Sequence, residues 1–125
     1  MEKLKKYTPS HEWISLHDDI GTIGITACAQ KELGDIVYLE LPTLGMHVHA
    51  GEEVVVVEST KAAADVYAPV SGVVIAVNAE LKDALHLLNQ SPEQKGWLFQ
   101  IRLSNPEEVK ALLNEESYKE LIGEK

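Results

Sequence analysis

Lys61 is the residue best placed to do chemistry. It is the only lysine or arginine between residues 32 and 81, and it lies in the run Glu58-Ser59-Thr60-Lys61-Ala62-Ala63-Ala64-Asp65. Its neighbours Ser59, Thr60, Ala62 and Ala63 are small, and the carboxylates of Glu58 and Asp65 bracket the segment. An amine with so little bulk around it is open to a modifying enzyme, and the flanking charges can orient a partner. A turn lysine taken at random is merely solvated, so the flanks decide the matter. Val54-Val55-Val56-Val57 precedes the segment; Val66-Tyr67-Ala68-Pro69 and the turn at Ser71-Gly72 follow it. Two β-branched runs around a small polar stretch predict a β-hairpin with Lys61 at its tip.

Other reactive types are less promising. His47-Val48-His49 puts two imidazoles on one face of a strand, but no third ligand stands at a suitable spacing, so solvated or partly packed histidines are expected. Ser10-His11-Glu12 is no catalytic triad, because neighbours on an extended segment point to opposite faces. Cys28, the single cysteine, reads as a small buried hydrophobe on a helix, with no activating base apparent. Trp13 and Trp97 read as core anchors.

The elements that must hold Lys61 follow from the pattern. Residues 12–25 predict two strands, with His17-Asp18-Asp19 as the turn. Thr26 predicts a helix N-cap, Ala27 to Leu33 a short helix, and Gly34 a left-handed stop. Ile36 to Leu41 predicts a strand with Ile36, Tyr38 and Glu40 on one face and Val37, Leu39 and Leu41 on the other; Pro42 ends it. Val73 to Val77 and Trp97 to Leu103 predict further strands, the second with Trp97, Phe99 and Ile101 alternating. Residues 78–88 fit a short helix or an ordered loop. In the tail, Asn105, Pro106 and Glu108 mark a capping box. Val109, Leu112 and Leu113 form the buried stripe, and Asn114 restarts a second helix with Tyr118, Leu121 and Ile122 inward and Gly123 as its stop. Short strands at close spacing are the mark of an antiparallel sandwich or flattened barrel. The expectation is one domain over 1–125, with 104–125 as a C-terminal helical extension.

The composition suits a globular chain: 45% hydrophobic, 25% charged, 125 residues. A net charge of −9 disfavours nucleic acid and anionic membrane surfaces as partners. The longest apolar runs fall far short of a membrane span. Met1-Glu2-Lys3-Leu4-Lys5-Lys6-Tyr7 has the form of neither a secretory signal nor a transit peptide. With one cysteine and no internal disulfide possible, a cytoplasmic location is expected.

Here the blocks fall into a known order. Glu58 to Gly72 resembles the lipoylation segment of the glycine cleavage system H-protein family. Tyr7-Thr8-Pro9-Ser10-His11-Glu12-Trp13 resembles that family's entry motif. Gly24-Ile25-Thr26, Ala29-Gln30, Leu33-Gly34-Asp35-Ile36-Val37, Glu40-Leu41-Pro42, Gly45, Gly51-Glu52, Val77-Asn78, Asn89 and Gly96-Trp97-Leu98 follow in register. The departures are Thr60 for a valine or isoleucine, Leu85 for a frequent proline, and Glu93-Gln94-Lys95 for a more usual Tyr-Gly-Glu.

The resemblance implies a lipoyl/biotinyl-carrier-type flattened β-barrel. This is a sandwich of two small antiparallel sheets with a short helix in the N-terminal half and helices at the C-terminus. It implies lipoic acid in amide linkage to Lys61, with Glu58, Ser59, Thr60, Ala62 and Ala63 as the modification motif. Ser10, Glu12 and Asp65 are the candidates to line a cleft for the arm. By resemblance the chain is a non-catalytic shuttle. Its arm takes an aminomethyl group from glycine after decarboxylation, passes it to an aminomethyltransferase, and is reoxidised. The implied partners are the pyridoxal-phosphate glycine decarboxylase (P protein), the aminomethyltransferase (T protein), dihydrolipoyl dehydrogenase (L protein) and a lipoylating enzyme. The alternative is an H-like relay that donates lipoyl groups to other apoproteins. Biotin carriers place methionines beside the lysine, and Thr60 and Ala62 disagree with that pattern.

Overall fold

β-Branched runs punctuated by Asp, Gly and Pro build two antiparallel sheets in the computed structural model, which describes residues 4–123. The strands are β1 (Leu4–Tyr7), β2 (Glu12–His17), β3 (Ile20–Ile25), β4 (Ile36–Glu40), β5 (His47–Val48), β6 (Glu53–Ser59), β7 (Ala63–Tyr67), β8 (Gly72–Val77) and β9 (Phe99–Leu103). The helices are α1 (Ala27–Leu33), α2 (Leu85–Gln90) and α3 (Glu115–Leu121), with 3-10 turns at Ala79–Lys82 and Pro106–Ala111. The larger sheet runs β1-β2-β3-β9-β8-β5 and the smaller β4-β6-β7. This is the mainly β, two-sheet architecture that the strand spacing predicts.

Alternation along the strands turns apolar side chains towards the gap between the sheets. Ile14, Ile23, Val55, Val57, Val74, Phe99 and Ile101 fill it and are almost wholly buried. Each such side chain contributes roughly 1.5–3 kcal/mol over its exposed state. A second cluster of Tyr7, Trp13 and Tyr118 fastens α3 to the larger sheet. The rings of Tyr7 and Tyr118 stack with centroids 4.7 Å apart, and Tyr7 and Leu113 exchange two backbone hydrogen bonds of 2.8 Å.

Local chemistry agrees with the sequence at several joints. Asp18 takes the left-handed turn conformation between β2 and β3, with φ 58°. Thr26 caps α1, its hydroxyl accepting from the Ala29 N–H. Asn105 and Asn114 cap the last two helical segments in the same way.

Other joints differ, for physical reasons. β4 does not alternate: a register shift between Ile36 and Tyr38 turns Ile36 and Leu39 inward and leaves Val37 and Tyr38 exposed. Asn89 completes that irregularity, its side-chain oxygen accepting from Ile36 N–H at 2.8 Å and its NH₂ donating to Ile36 C=O at 3.3 Å. Gly34 stops α1 with φ 82° and ψ −153°, outside the left-handed helical basin. The capping box fails: Glu108 instead accepts from Ser71 N–H at 2.7 Å and Ser71 Oγ at 3.0 Å. The segment after Asn105 is a 3-10 turn whose Val109 and Leu112 are only half-buried. Leu121 faces solvent, because a helix of this length seats one face and Tyr118 occupies it. The last strand begins at Phe99; Trp97 is half-buried, while Leu98 takes the core position.

Candidate functional site

β6 and β7 form the hairpin, paired from Glu53–Tyr67 to Glu58–Ala63. The turn is short: Ser59 N–H donates to Ala62 C=O at 2.7 Å, leaving Thr60 and Lys61 at the tip. Ser59 holds that turn with its side chain. Its Oγ accepts from Lys61 N–H at 3.1 Å and Ala62 N–H at 3.0 Å, and donates to Ala62 C=O at 3.1 Å. Thr60 N–H donates to Asp35 C=O at 3.0 Å, tying the tip to the segment that follows α1. The backbone under Lys61 is therefore fixed from two sides.

Lys61, Ala62, Ala63 and Glu58 are exposed, Thr60 likewise, and Ser59 is half-buried. Among the described residues no carboxylate lies within ion-pair distance of the Lys61 amine. The lysine stem lies over Gly34: a β-carbon built there would stand 3.1 Å from Lys61 Cε. Gly34 thus borders the lysine stem, a contact that the hairpin motif did not flag. Its signal was a glycine closing a helix, with a backbone conformation open essentially to glycine alone.

Beside the hairpin lies a cleft of about 280 Å³ that brings Ser10, Glu12 and Asp65 into one lining. Ile25, Leu33, Val57 and Val66 supply apolar wall. Asp65 is exposed on β7 and Ser10 is exposed on the bend before β2, whereas Glu12 is only 2% exposed. The Glu12 carboxylate is fully partnered. Oε1 accepts from Thr8 Oγ1 and from Ser10 Oγ at 2.6 Å, and Oε2 accepts from Tyr67 N–H at 3.2 Å. Burial raises its pKa above the ordinary carboxylate value, against the pull of the Ser10, Thr8 and Tyr67 hydrogen bonds. A buried acid and hydrocarbon in one lining suit a ligand with an aliphatic stem and a cationic end.

His11 and the α1 residues Ala29 and Glu32 complete the lining; no sequence pattern singled them out for it. His11 stands in the left-handed region with φ 71°, which takes its ring off the strand pattern, and Nδ1 lies 2.8 Å from Tyr118 OH. That hydroxyl also pairs with Thr26 Oγ1 at 2.7 Å, and burial pushes the Tyr118 pKa up to about 12. Cys28 is half-buried at the surface of α1 and not a core hydrophobe, with Sγ 3.5 Å from Glu32 Oε2. His47 and His49 are both exposed. Trp13 is a core anchor, its indole N–H donating to Pro92 C=O at 3.0 Å. Of the departures, Glu93 joins two elements, accepting from Lys5 Nζ and from Ala27 N–H, each at 2.8 Å. Among the described residues no helix is long and apolar enough to cross a membrane.

Two small antiparallel sheets that raise a lysine on a hairpin define a β-sandwich of the lipoyl-domain type. The glycine cleavage H-protein family profile matches residues 5–125. The chain is 48% identical to the glycine cleavage system H protein of Thermotoga maritima, over 98% of each chain. It is 50% identical to that of Carboxydothermus hydrogenoformans, over 95% of this chain and 92% of the relative. The crystal structure of a glycine cleavage system H protein from Mycobacterium marinum superposes with a TM-score of 0.89 at 34% identity, covering 98% of this chain and 99% of that one. The chain belongs to the glycine cleavage H-protein family.

Proposed function

We propose that this chain is the lipoyl-carrying shuttle of a glycine cleavage system, with lipoic acid in amide linkage to Lys61 and no catalytic residue of its own. The observation that carries the proposal is an exposed lysine on a backbone pinned by Ser59 and Asp35, on a hairpin beside a cleft whose lining joins apolar side chains to a buried carboxylate. Amide formation removes the lysine charge. When bound, the lipoyl group supplies a dithiolane that carries a one-carbon amine unit and cycles between disulfide and dithiol.

The residues of the chain do the presenting and the sheltering. Ser59 and Thr60 hold the tip, so that the attachment point is rigid and only the side chain swings. Gly34 leaves room for that side chain where any other residue would crowd it. Ile25, Leu33, Val57 and Val66 exclude water from the cleft, which slows hydrolysis of a labile amine adduct. Glu12 and Asp65 offer negative charge to a protonated amine, and a cation brought against Glu12 favours its ionised form. Ser10 keeps the Glu12 oxygen oriented.

Tethering raises the effective concentration of the reactive group at each partner. The partners in this reading are the glycine decarboxylase, the aminomethyltransferase, dihydrolipoyl dehydrogenase and a lipoylating enzyme, in the cytoplasm. The test is enzymatic lipoylation followed by intact mass and peptide mapping, then reconstitution with decarboxylase and transferase. A lipoyl adduct confined to Lys61, absent from Lys61→Arg, together with glycine-dependent turnover, is the expected result. An adduct elsewhere would overturn the assignment. Lipoyl transfer to other apoproteins without glycine turnover would replace the shuttle with the relay.

A further inference from the structure

His11 and Glu32 line the cleft and, together with Cys28, also line a neighbouring surface cavity; the carrier role does not use these three side chains. Cys28 and Glu32 stand four residues apart on α1, so they share one helix face. His11 reaches the same place from the bend before β2. One ligand atom from each of the three lies within 4.8 Å of the other two. Thiolate, imidazole and carboxylate together are a borderline-soft donor set, which favours zinc over calcium or magnesium.

We propose that His11, Cys28 and Glu32 form a binding site for a single divalent transition-metal ion, with zinc the preferred occupant. Zinc bonds of about 2.0–2.3 Å place tetrahedral ligands about 3.5 Å apart. Closure from the present spacing therefore needs a shift of about an ångström. Glu32 is exposed, so its side chain supplies most of that shift, while Cys28 is half-buried and also contacts Tyr118. His11 is already oriented by its contact with the Tyr118 hydroxyl. With Nδ1 held by that hydroxyl, Nε2 is the nitrogen the proposal assigns to the ion, and ligating histidines are commonly fixed through their other nitrogen.

The present state supplies the leaving group. The Cys28 thiol donates towards Glu32 Oε2 at 3.5 Å. An incoming aqua ion takes the place of that proton, forming one metal–sulfur, one metal–oxygen and one metal–nitrogen bond, while the thiol proton and the displaced aqua ligands leave to solvent. No electron moves. All three residues line a surface cavity of about 370 Å³ with Pro9, Leu121 and Ile122, from which water or an external ligand would complete the coordination. The pair His47 and His49 has no such company among the described residues.

Binding is tested on the full chain before lipoylation, so its outcome is independent of the carrier reading. Co²⁺ serves as the spectroscopic probe and Zn²⁺ as its competitor. The expected result is one Co²⁺ per chain with a thiolate-to-cobalt charge-transfer band, bleached by one equivalent of Zn²⁺. Zn²⁺ should also slow alkylation of Cys28, the only thiol present. Cys28→Ser should abolish the band. Glu32→Gln, at an exposed position, should weaken binding about tenfold or more, with an unchanged far-ultraviolet circular dichroism spectrum. His47→Ala should leave the titration unaltered. Uptake of Co²⁺ with no thiolate band, or a band that survives Glu32→Gln at full affinity, would overturn the site.

Discussion

Ser59→Ala separates the mechanical role of the hairpin tip from its chemical one. The wild-type hydroxyl makes three contacts, with Lys61 N–H, Ala62 N–H and Ala62 C=O, at 3.0–3.1 Å. Alanine leaves only the Ser59–Ala62 and Thr60–Asp35 backbone bonds. The tip is exposed, so water replaces much of what is lost, and each bond counts at the low end of about 0.5–1.5 kcal/mol. The sum resembles the loss of a serine helix cap, about 1 kcal/mol. Against a total of roughly 5–15 kcal/mol, the fold survives. Locally, however, the same figure multiplies the open population of the turn about fivefold. Amide exchange at Lys61 and Ala62 should therefore accelerate about fivefold in Ser59→Ala. The core amides of β6 and β9 should not change beyond the global shift, and Ser59→Thr should restore protection. Enzymatic lipoylation should slow in step with exchange if the modifying enzyme needs a preformed turn. Exchange at Ala62 within a factor of two of wild type would refute the claim that the Ser59 hydroxyl holds the tip.

Three further outcomes follow from the same geometry. Burial raises the Glu12 pKa, so the folded chain binds more protons than the unfolded one from the ordinary carboxylate value up through the folded-state value. Stability from Glu12 is thus fully present at low pH and lost as pH rises through that window. In paired denaturant titrations, wild type minus Glu12→Gln should fall with rising pH, and a difference that grows would contradict the burial. Gly34→Ala places a β-carbon at φ 82° and 3.1 Å from Lys61 Cε; it should cost about 1–3 kcal/mol and slow lipoylation, read by denaturation and by mass. Phe99→Ala empties a wholly buried core position and should cost about 3–5 kcal/mol, seen as a lower denaturation midpoint with the lipoylation site chemically intact.

Local signals were the legible part of this fold. Thr26, Asn105 and Asn114 cap where their side chains dictate, and the runs Val54-Val55-Val56-Val57 and Val66-Tyr67 around small residues do make the hairpin that lifts Lys61. What was illegible depends on neighbours distant in the chain. The bulge in β4 is completed by Asn89, which no pattern within residues 36–41 reveals. Glu108 has the spacing of a capping box, but the free N–H of Ser71 competes for its carboxylate and wins. Leu121 continues an apolar stripe on paper, yet Tyr118 and Ile122 take the seats against the sheet and Leu121 is left in solvent. The cleft shows the same division. Ser10, Glu12 and Asp65 came from family resemblance, and their partners His11, Ala29 and Glu32 emerge only once α1 is laid beside β7.

β7 is an outer strand of its sheet, and outer strands invite other chains to dock on them. Here one of its outward amides is already spoken for, since Tyr67 N–H points at the Glu12 carboxylate from the opposite sheet. A second copy trying to extend the ladder would have to strip that acid of its partner and lie against the Asp65 charge. The same carboxylate that lines the cleft thereby occupies a hydrogen-bonding position on the outer edge of the smaller sheet.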